Sequence, residues 1–502
     1  MCNGRLRGAC EQGLEHGTQD SGSSQTSQAA TGHMNPTLPL VKELTARGCA
    51  VTYFVEDTMR EVVEAAGAAW RPLRYPDSNF TGTLKKLDSA GIAKYVPEGT
   101  PEKDHAQMVA GLAYTAECIL PALLEDLREL VPAPSVIVYD PFIVFAQVAA
   151  HVLRIPGISL LTWPGPGVLV RPVGAVEEIE AQPWVEGPRR AIEEAYGFDI
   201  FERGMLMEMY SPVMNIVTTT EELFAPPASE KQLLRFGVAP FRCVGPLIDA
   251  SVKRLANASI GSRAAEPTHA AQVPSDFRSG TLPWAYIDEQ RAAGRKLVFV
   301  SLGTVATSGH FWNDTFGAFA RSNGLADVIG REFCQHVWRV CYEALGSDDR
   351  IFVVMSVGSM PDALEGLPAA PDNFILRDAV PQLELLPRCS AFVTHGGANS
   401  MHEALSFGVP LAVVPMFGDQ PINADTVARC GVGHSFRQPM STLTVEALRG
   451  AMSALMLDGE GNSYRESAKD MSEKMRHAGG ISAATEIIMH KAGVAPMQWL
   501  GV

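Results

Sequence analysis

Residues 380–423 read VPQLELLPRCSAFVTHGGANSMHEALSFGVPLAVVPMFGDQPIN. Ala391–Thr394 is a short apolar run that breaks at His395-Gly396-Gly397, the pattern of a strand entering a glycine turn. A helix is predicted from about Asn399-Ser400 to Gly408, a residue suited to a left-handed C-terminal cap. Leu411–Pro415 is again apolar and β-branched and reads as a buried parallel strand. A strand that turns through glycines into a helix start collects unsatisfied backbone N–H groups and a positive dipole end at one point, which suits a phosphate. The pattern predicts a nucleotide site, and the polar residues around it suggest an attached sugar.

Working outward, the 502-residue chain exceeds one ordinary domain, and two α/β lobes are the natural division. A hydrophobic content of 46% is ample for two cores. The net charge of −15 argues against a general nucleic-acid surface while leaving room for a local phosphate pocket. No run of eighteen apolar residues is present, and the N-terminus lacks the apolar core of a signal peptide, so neither a membrane span nor secretion is expected. Nine cysteines without a C-x-x-C pair indicate neither zinc nor a disulfide framework. A cytoplasmic location is the expectation, which leaves the Asn-x-Ser/Thr sequons at Asn79, Asn257 and Asn313 without meaning.

Residues 1–31 are polar and aperiodic, and are expected to be disordered or a non-native start. A regular βαβ rhythm then begins, implying a parallel sheet. Asn35-Pro36 reads as a helix start, with Asn as cap and Pro at the first helical position. Val51–Val55, Ser135–Tyr139 and Ile158–Thr162 read as strands, with helices at Thr58–Ala66 and Phe142–Leu153. Residues 32–248 are assigned to a first lobe and 249–283, rich in Ala, Ser and charge, to a linker. Residues 284–478 form a second lobe opening with the strand Lys296–Leu302, and 479–502 are a closing helix and tail. Ala306–Glu332 has no clear period and reads as a loop excursion.

His395-Gly396-Gly397-Ala398-Asn399-Ser400-x-x-Glu403, followed by Asp419-Gln420-Pro421-x-Asn423, resembles the donor signature of family 1 UDP-glycosyltransferases, in particular the bacterial macrolide and fungal-type branch. Gly32-His33-x-Asn35-Pro36, Tyr139-Asp140, Val244-Gly245-Pro246 and Ser301-Leu302-Gly303-Thr304 add to the likeness in the family's order, across most of 32–480. The resemblance implies a GT-B fold: two Rossmann-like lobes with parallel sheets facing a cleft, the last helix crossing back to the first lobe. Ligands of open α/β sheets lie beyond the strands' carboxyl ends, where every one of these motifs falls.

By the same resemblance, His395, Gly397, Asn399 and Ser400 hold the diphosphate, Thr304 sits near it, and Glu403 accepts from the ribose diol. Gln382 reads the uracil edge, with Arg377 and Val380 beside it, and Asp419 and Gln420 bind sugar hydroxyls. His33 is the general base in a loop before the first helix, and Asp140 orients and stabilises its imidazolium. The reaction implied is inverting transfer of a hexosyl group from a UDP-sugar to a hydroxyl of a lipophilic small molecule, with no metal and no cofactor besides the donor. Trp70, Tyr75, Phe142 and Trp163 are equally consistent with an acceptor pocket and with core. A dTDP-sugar donor and a catalytically impaired nucleotide-sugar binder are the alternatives.

Blander readings stand beside these. Ser400-x-x-Glu403 is also a capping box, Asp140 a cap for the helix at Phe142, and His402 a packing or surface histidine. Two departures from the family pattern matter. The residues before Gly32 carry no strand pattern, so the first strand of the first lobe is expected to be missing. Ala379 stands where the family usually has an aromatic ring over the base, and Arg377 is a candidate to stack there instead.

Overall fold

The computed structural model describes residues 2–4, 31–74, 93–100, 108–169, 175–202, 204–252, 254, 281–307, 309–457 and 462–494. Most of the expected linker, most of 1–31, and Tyr75 therefore lie outside the described residues. The chain forms two compact units: residues 1–218, 225–254 and 479–502 in one, and 219–224 and 255–478 in the other.

In the first unit, β1 (Cys2–Gly4), β2 (Cys49–Phe54) and β3 (Ala69–Arg71) form one sheet. β4 (Ile137–Tyr139), β5 (Gly157–Leu161), β6 (Asn215–Val217) and β7 (Phe241–Cys243) form a second, wholly parallel one. β2 pairs in parallel with β3 and antiparallel with β1. No ladder joins the two sheets among the described residues, and the expectation of a missing first strand falls on residues that lie outside them. The expectation of no structure before Gly32 is corrected at two points: Cys2–Gly4 is a strand, and Thr31 opens the short helix α1 (Thr31–Met34).

The predicted helix start at Asn35-Pro36 is also corrected. Pro36 occupies the cap position and α2 runs Thr37–Ala46, because the Thr37 hydroxyl bonds back to the Met34 carbonyl at 2.7 Å and closes the turn between α1 and α2. The 22-residue helix α3 (Met108–Glu129) and α4 (Val144–Leu153) bury Leu120, Leu124, Val148 and Ala149 in the core of this unit. The C-terminal helix Gly480–Lys491 returns to the same unit: Gly480 N–H donates to the Val244 carbonyl and Arg47 to Ser482.

The second unit carries one six-stranded parallel sheet in the order β10-β9-β8-β11-β12-β13. The strands are β8 (Lys296–Ser301), β9 (Ile351–Ser356), β10 (Phe374–Arg377), β11 (Ala391–Thr394), β12 (Leu411–Val413) and β13 (Gly433–Ser435). β8, β9 and β11 are apolar on both faces, as parallel strands covered by helices must be. The chain runs outward from β8 through β9 and β10, then returns to pair β11 on β8's other side, with Thr394 beside Ser301. That reversal makes the carboxyl ends of β8 and β11 a topological switch point, where doubly wound sheets bind ligands. The stretch read as a loop excursion instead holds short helical segments at Gly309–Trp312 and Gly317–Asn323, and from Gly330 the helix α5 (Gly330–Leu345). Trp312 and Phe316 anchor that stretch in the core, which no single period revealed.

Candidate functional site

In the second unit, β11 ends at Thr394 and the chain turns through Gly396 at φ +81° into α7 (Ala398–Ser406), with Gly397 as its cap. A Cβ at Gly396 would lie 2.4 Å from Val413 Cγ1, so the turn tolerates neither the volume nor the backbone of an L side chain. The His395 ring is sandwiched between two glycines. A Cβ on Gly303 would fall 2.5 Å from its Cε1, and one on Gly397 would fall 2.5 Å from its Nε2. Gly303 has φ +75° and opens the short helix Gly303–Ala306 that carries Thr304. The glycines at 303 and 397 therefore let two backbone turns close on one imidazole. Burial pushes that imidazole down to about 4, against an opposing contact with the Ser301 backbone, so His395 is neutral at neutral pH and acts as a hydrogen-bonding group, not as a fixed cation.

The capping-box reading is corrected. Ser400 is the third residue of α7, and the helix has no side-chain cap of its own at Gly397. Glu403 is buried and accepts from Gln382 Nε2 at 2.7 Å. Gln382 opens the short helix α6 (Gln382–Leu385) and also lies 3.4 Å from Ser400 Oγ. The structure thus brings Gln382, Ser400 and Glu403 together. The cap for α7 comes from elsewhere: Asp419 Oδ2 accepts the Ala398 N–H at 3.1 Å. Asp419 precedes α8 (Gln420–Arg429) but does not cap that helix, its side chain having turned to the neighbouring one. Gln420 is buried, its Oε1 taking the Met416 N–H at 2.9 Å.

Arg377 Nη1 donates to the Leu376 carbonyl at 2.8 Å and Nη2 lies 3.4 Å from the Thr281 carbonyl. These backbone contacts anchor the guanidinium at the end of β10. Val380 packs against the apolar cluster under α7. His402 is a packing histidine: it is buried, bonds Thr219 through Nε2 at 2.8 Å, and is held down to about 4 by burial. Asn423 belonged to the motif without a role. It is 1% exposed and bonds both Gly396 and Asp419. The signal was its spacing, four residues beyond Asp419 across a helix start.

In the first unit, His33 Nδ1 and Asp140 Oδ2 are 2.5 Å apart. His33 is not in a loop, as expected, but on the single-turn helix α1. Asp140 follows β4 directly, and its other oxygen accepts the Phe142 N–H at 2.8 Å. Asp140 therefore bonds His33 through one oxygen and the Phe142 turn through the other; the capping reading is corrected, since the helix starts at Val144 with Ile143 at its cap and no side-chain bond there. The turn bearing His33 is tied to β2 by Tyr53, whose hydroxyl is 2.9 Å from Thr37 Oγ1 and donates to Met34 Sδ at 3.1 Å. Burial pushes the Tyr53 phenol up to about 12, with the nearby Asp140 charge adding to the effect. Phe142 and Trp163 rings stand 5.0 and 5.7 Å from the His33 ring. Trp70 is away from this cluster, its N–H given to the Val55 carbonyl and its ring covered by Arg60. Among the described residues no group of three or more His, Cys, Asp or Glu is placed to hold a metal ion, and no helix is long and apolar enough to cross a membrane.

Comparison with known proteins agrees with this construction. Residues 343–488 match the model of the erythromycin biosynthesis protein CIII-like C-terminal domain. The chain is 27% identical over 471 residues to the uncharacterized UDP-glucosyltransferase YojK of Bacillus subtilis, covering 91% of this chain and 94% of that one. It is 28% identical to the oleandomycin glycosyltransferase of Streptomyces antibioticus over 92% of this chain and 88% of that one. The crystal structure of the glycotransferase of kitacinnamycin superposes with a TM-score of 0.60 at 23% identity, covering 92% of this chain and 96% of that one. Two units with parallel sheets, a glycine-framed histidine at the switch point and full-length relatives of one kind point the same way: the chain is similar to family 1 glycosyltransferases of the macrolide type and has the GT-B fold.

Proposed function

We propose that this glycosyltransferase moves a hexosyl group from a UDP-sugar to a hydroxyl of a lipophilic small molecule, inverting the anomeric carbon. The observation that carries the reading is the 2.5 Å pair of His33 Nδ1 and Asp140 Oδ2. A carboxylate on Nδ1 fixes the tautomer with its proton there, which makes Nε2 the atom that takes the acceptor's proton and lets Asp140 stabilise the resulting imidazolium. The deprotonated oxygen attacks the anomeric carbon, the C–O bond to the diphosphate breaks, and the electron pair leaves with the nucleotide. In the second unit, the N–H groups of Asn399 and Ser400 at the start of α7 and the neutral His395 stabilise the charge that grows on the leaving diphosphate. Glu403, oriented by Gln382, takes the ribose diol, and Asp419 and Gln420 take sugar hydroxyls. YojK is named for UDP-glucose, which makes a uridine donor the first choice.

The test is calorimetric titration with UDP-glucose and dTDP-glucose, then a turnover screen over hydroxylated lipophilic acceptors with wild type and His33→Ala. The expected result is uridine preference and a fall in kcat of about 10²–10⁴ in the variant. Equal turnover would remove His33 from its role, a thymidine preference would change the donor, and tight donor binding without turnover would favour a binding protein.

A further inference from the structure

We infer that Asn423 is a positioning residue that couples the sugar-binding and diphosphate-binding parts of the donor site through one buried side-chain amide, an inference that rests on the donor-site reading above. Asn423 Nδ2 donates to the Gly396 carbonyl at 2.8 Å and to Asp419 Oδ2 at 2.8 Å. The first partner belongs to the turn that sets His395, and the second is the carboxylate assigned to the sugar. The Asn423 side chain is 1% exposed, so water does not stand in for either bond if the amide is removed.

Both partners are otherwise constrained. Gly396 is held at φ +81° against Val413, and Asp419 Oδ2 also receives the Ala398 N–H at 3.1 Å. One carboxylate oxygen thus takes donors from the first turns of α7 and α8, while the same Asn423 amide fixes the carbonyl just after His395. The backbone N–H of Asn423 donates in turn to the Asp419 carbonyl at 2.9 Å, so the two residues are also joined across the start of α8. Moving Asp419 therefore strains the diphosphate turn, and moving that turn displaces Asp419. A primary amide is the smallest side chain that supplies two N–H donors from one nitrogen. Serine supplies one donor and aspartate at neutral pH supplies none.

The experiment is a double-mutant cycle on the full chain, using whichever of UDP-glucose and dTDP-glucose the wild type binds. Donor dissociation constants and ligand-free melting temperatures are measured for wild type, Asn423→Ala, Asp419→Ala and the double variant. Asn423→Ala alone is expected to weaken donor binding about tenfold to a hundredfold, the range for removing a buried donor from a charged partner. Asp419→Ala is expected to cost at least about fivefold less in the Asn423→Ala background than in wild type. Asn423→Ser, which keeps one donor, is expected to fall between wild type and Asn423→Ala, and it replaces the alanine variant in the cycle if that variant does not fold. Losses that simply multiply, or donor binding within twofold of wild type in Asn423→Ala, overturn the coupling even if the melting temperature drops. A His395→Ala variant separates the two levels: unchanged donor binding there overturns the donor-site reading itself, whereas a strong His395→Ala effect beside multiplicative Asn423 and Asp419 losses overturns the coupling alone.

Discussion

At the scale of single residues, Asp140 shows how one side chain serves two ends. Its Oδ1 holds the Phe142 N–H and its Oδ2 holds His33. Asp140→Asn is nearly isosteric and keeps the first bond by offering its carbonyl oxygen to Phe142. Its NH2 then faces His33 Nδ1, which must become the acceptor, and the imidazole proton moves to Nε2. The variant is expected to fold with an unchanged melting temperature, within about 0.5 kcal/mol, yet to lose about 10²–10⁴ in kcat with donor binding intact. Parallel melting and turnover measurements check this, and a variant with normal kcat would show that tautomer control is not the task of Asp140. The sequence made His33 and Asp140 legible as a pair through their motifs, but the shared carboxylate was not legible. Two bonds on one residue depend on where β4 places its carboxyl end relative to α1, a long-range matter.

At the scale of elements, the β11–turn–α7 passage was readable almost residue by residue, because apolar β-branched runs, glycines and helix periodicity all point the same way there. What stayed hidden was the cap. Ser400-x-x-Glu403 has the local pattern of a capping box, but Gln382 meets both of its side chains, and the α7 N–H of Ala398 goes to Asp419. The Gly303 turn was likewise legible as a turn, while the reason for glycine was not, since its neighbour His395 comes from the turn after β11, far along the chain. Gly303→Ala is expected to displace the His395 ring and to carry about 1–2 kcal/mol of left-handed backbone strain. Donor affinity should fall roughly tenfold or more, measured by titration against wild type. A variant that binds donor normally would mean that the glycine sandwich does not set the imidazole.

At the scale of the whole molecule, composition and length foretold two α/β units but not their bookkeeping along the chain. Thr219–Phe224 packs with the second unit although it sits between segments of the first, with Thr219 bonded to His402 and Glu222 paired with Lys474. No period or composition shift marks so short a crossing. The expectation of a missing strand before Gly32 falls on residues outside the described ones, but the described strands of the first unit lie in two separate sheets. His33 belongs to the piece built around β2, through Tyr53, and Asp140 to the piece built around β4. The bonded pair of His33 and Asp140 therefore straddles a seam that no backbone ladder stitches among the described residues, and slippage of a fraction of an ångström across it reaches the imidazole before it reaches either core. On gentle heating, turnover should be lost reversibly several degrees below the unfolding transition seen by circular dichroism, while nucleotide binding persists; coincident loss of all three would mean that the seam is as firm as the sheets on either side of it.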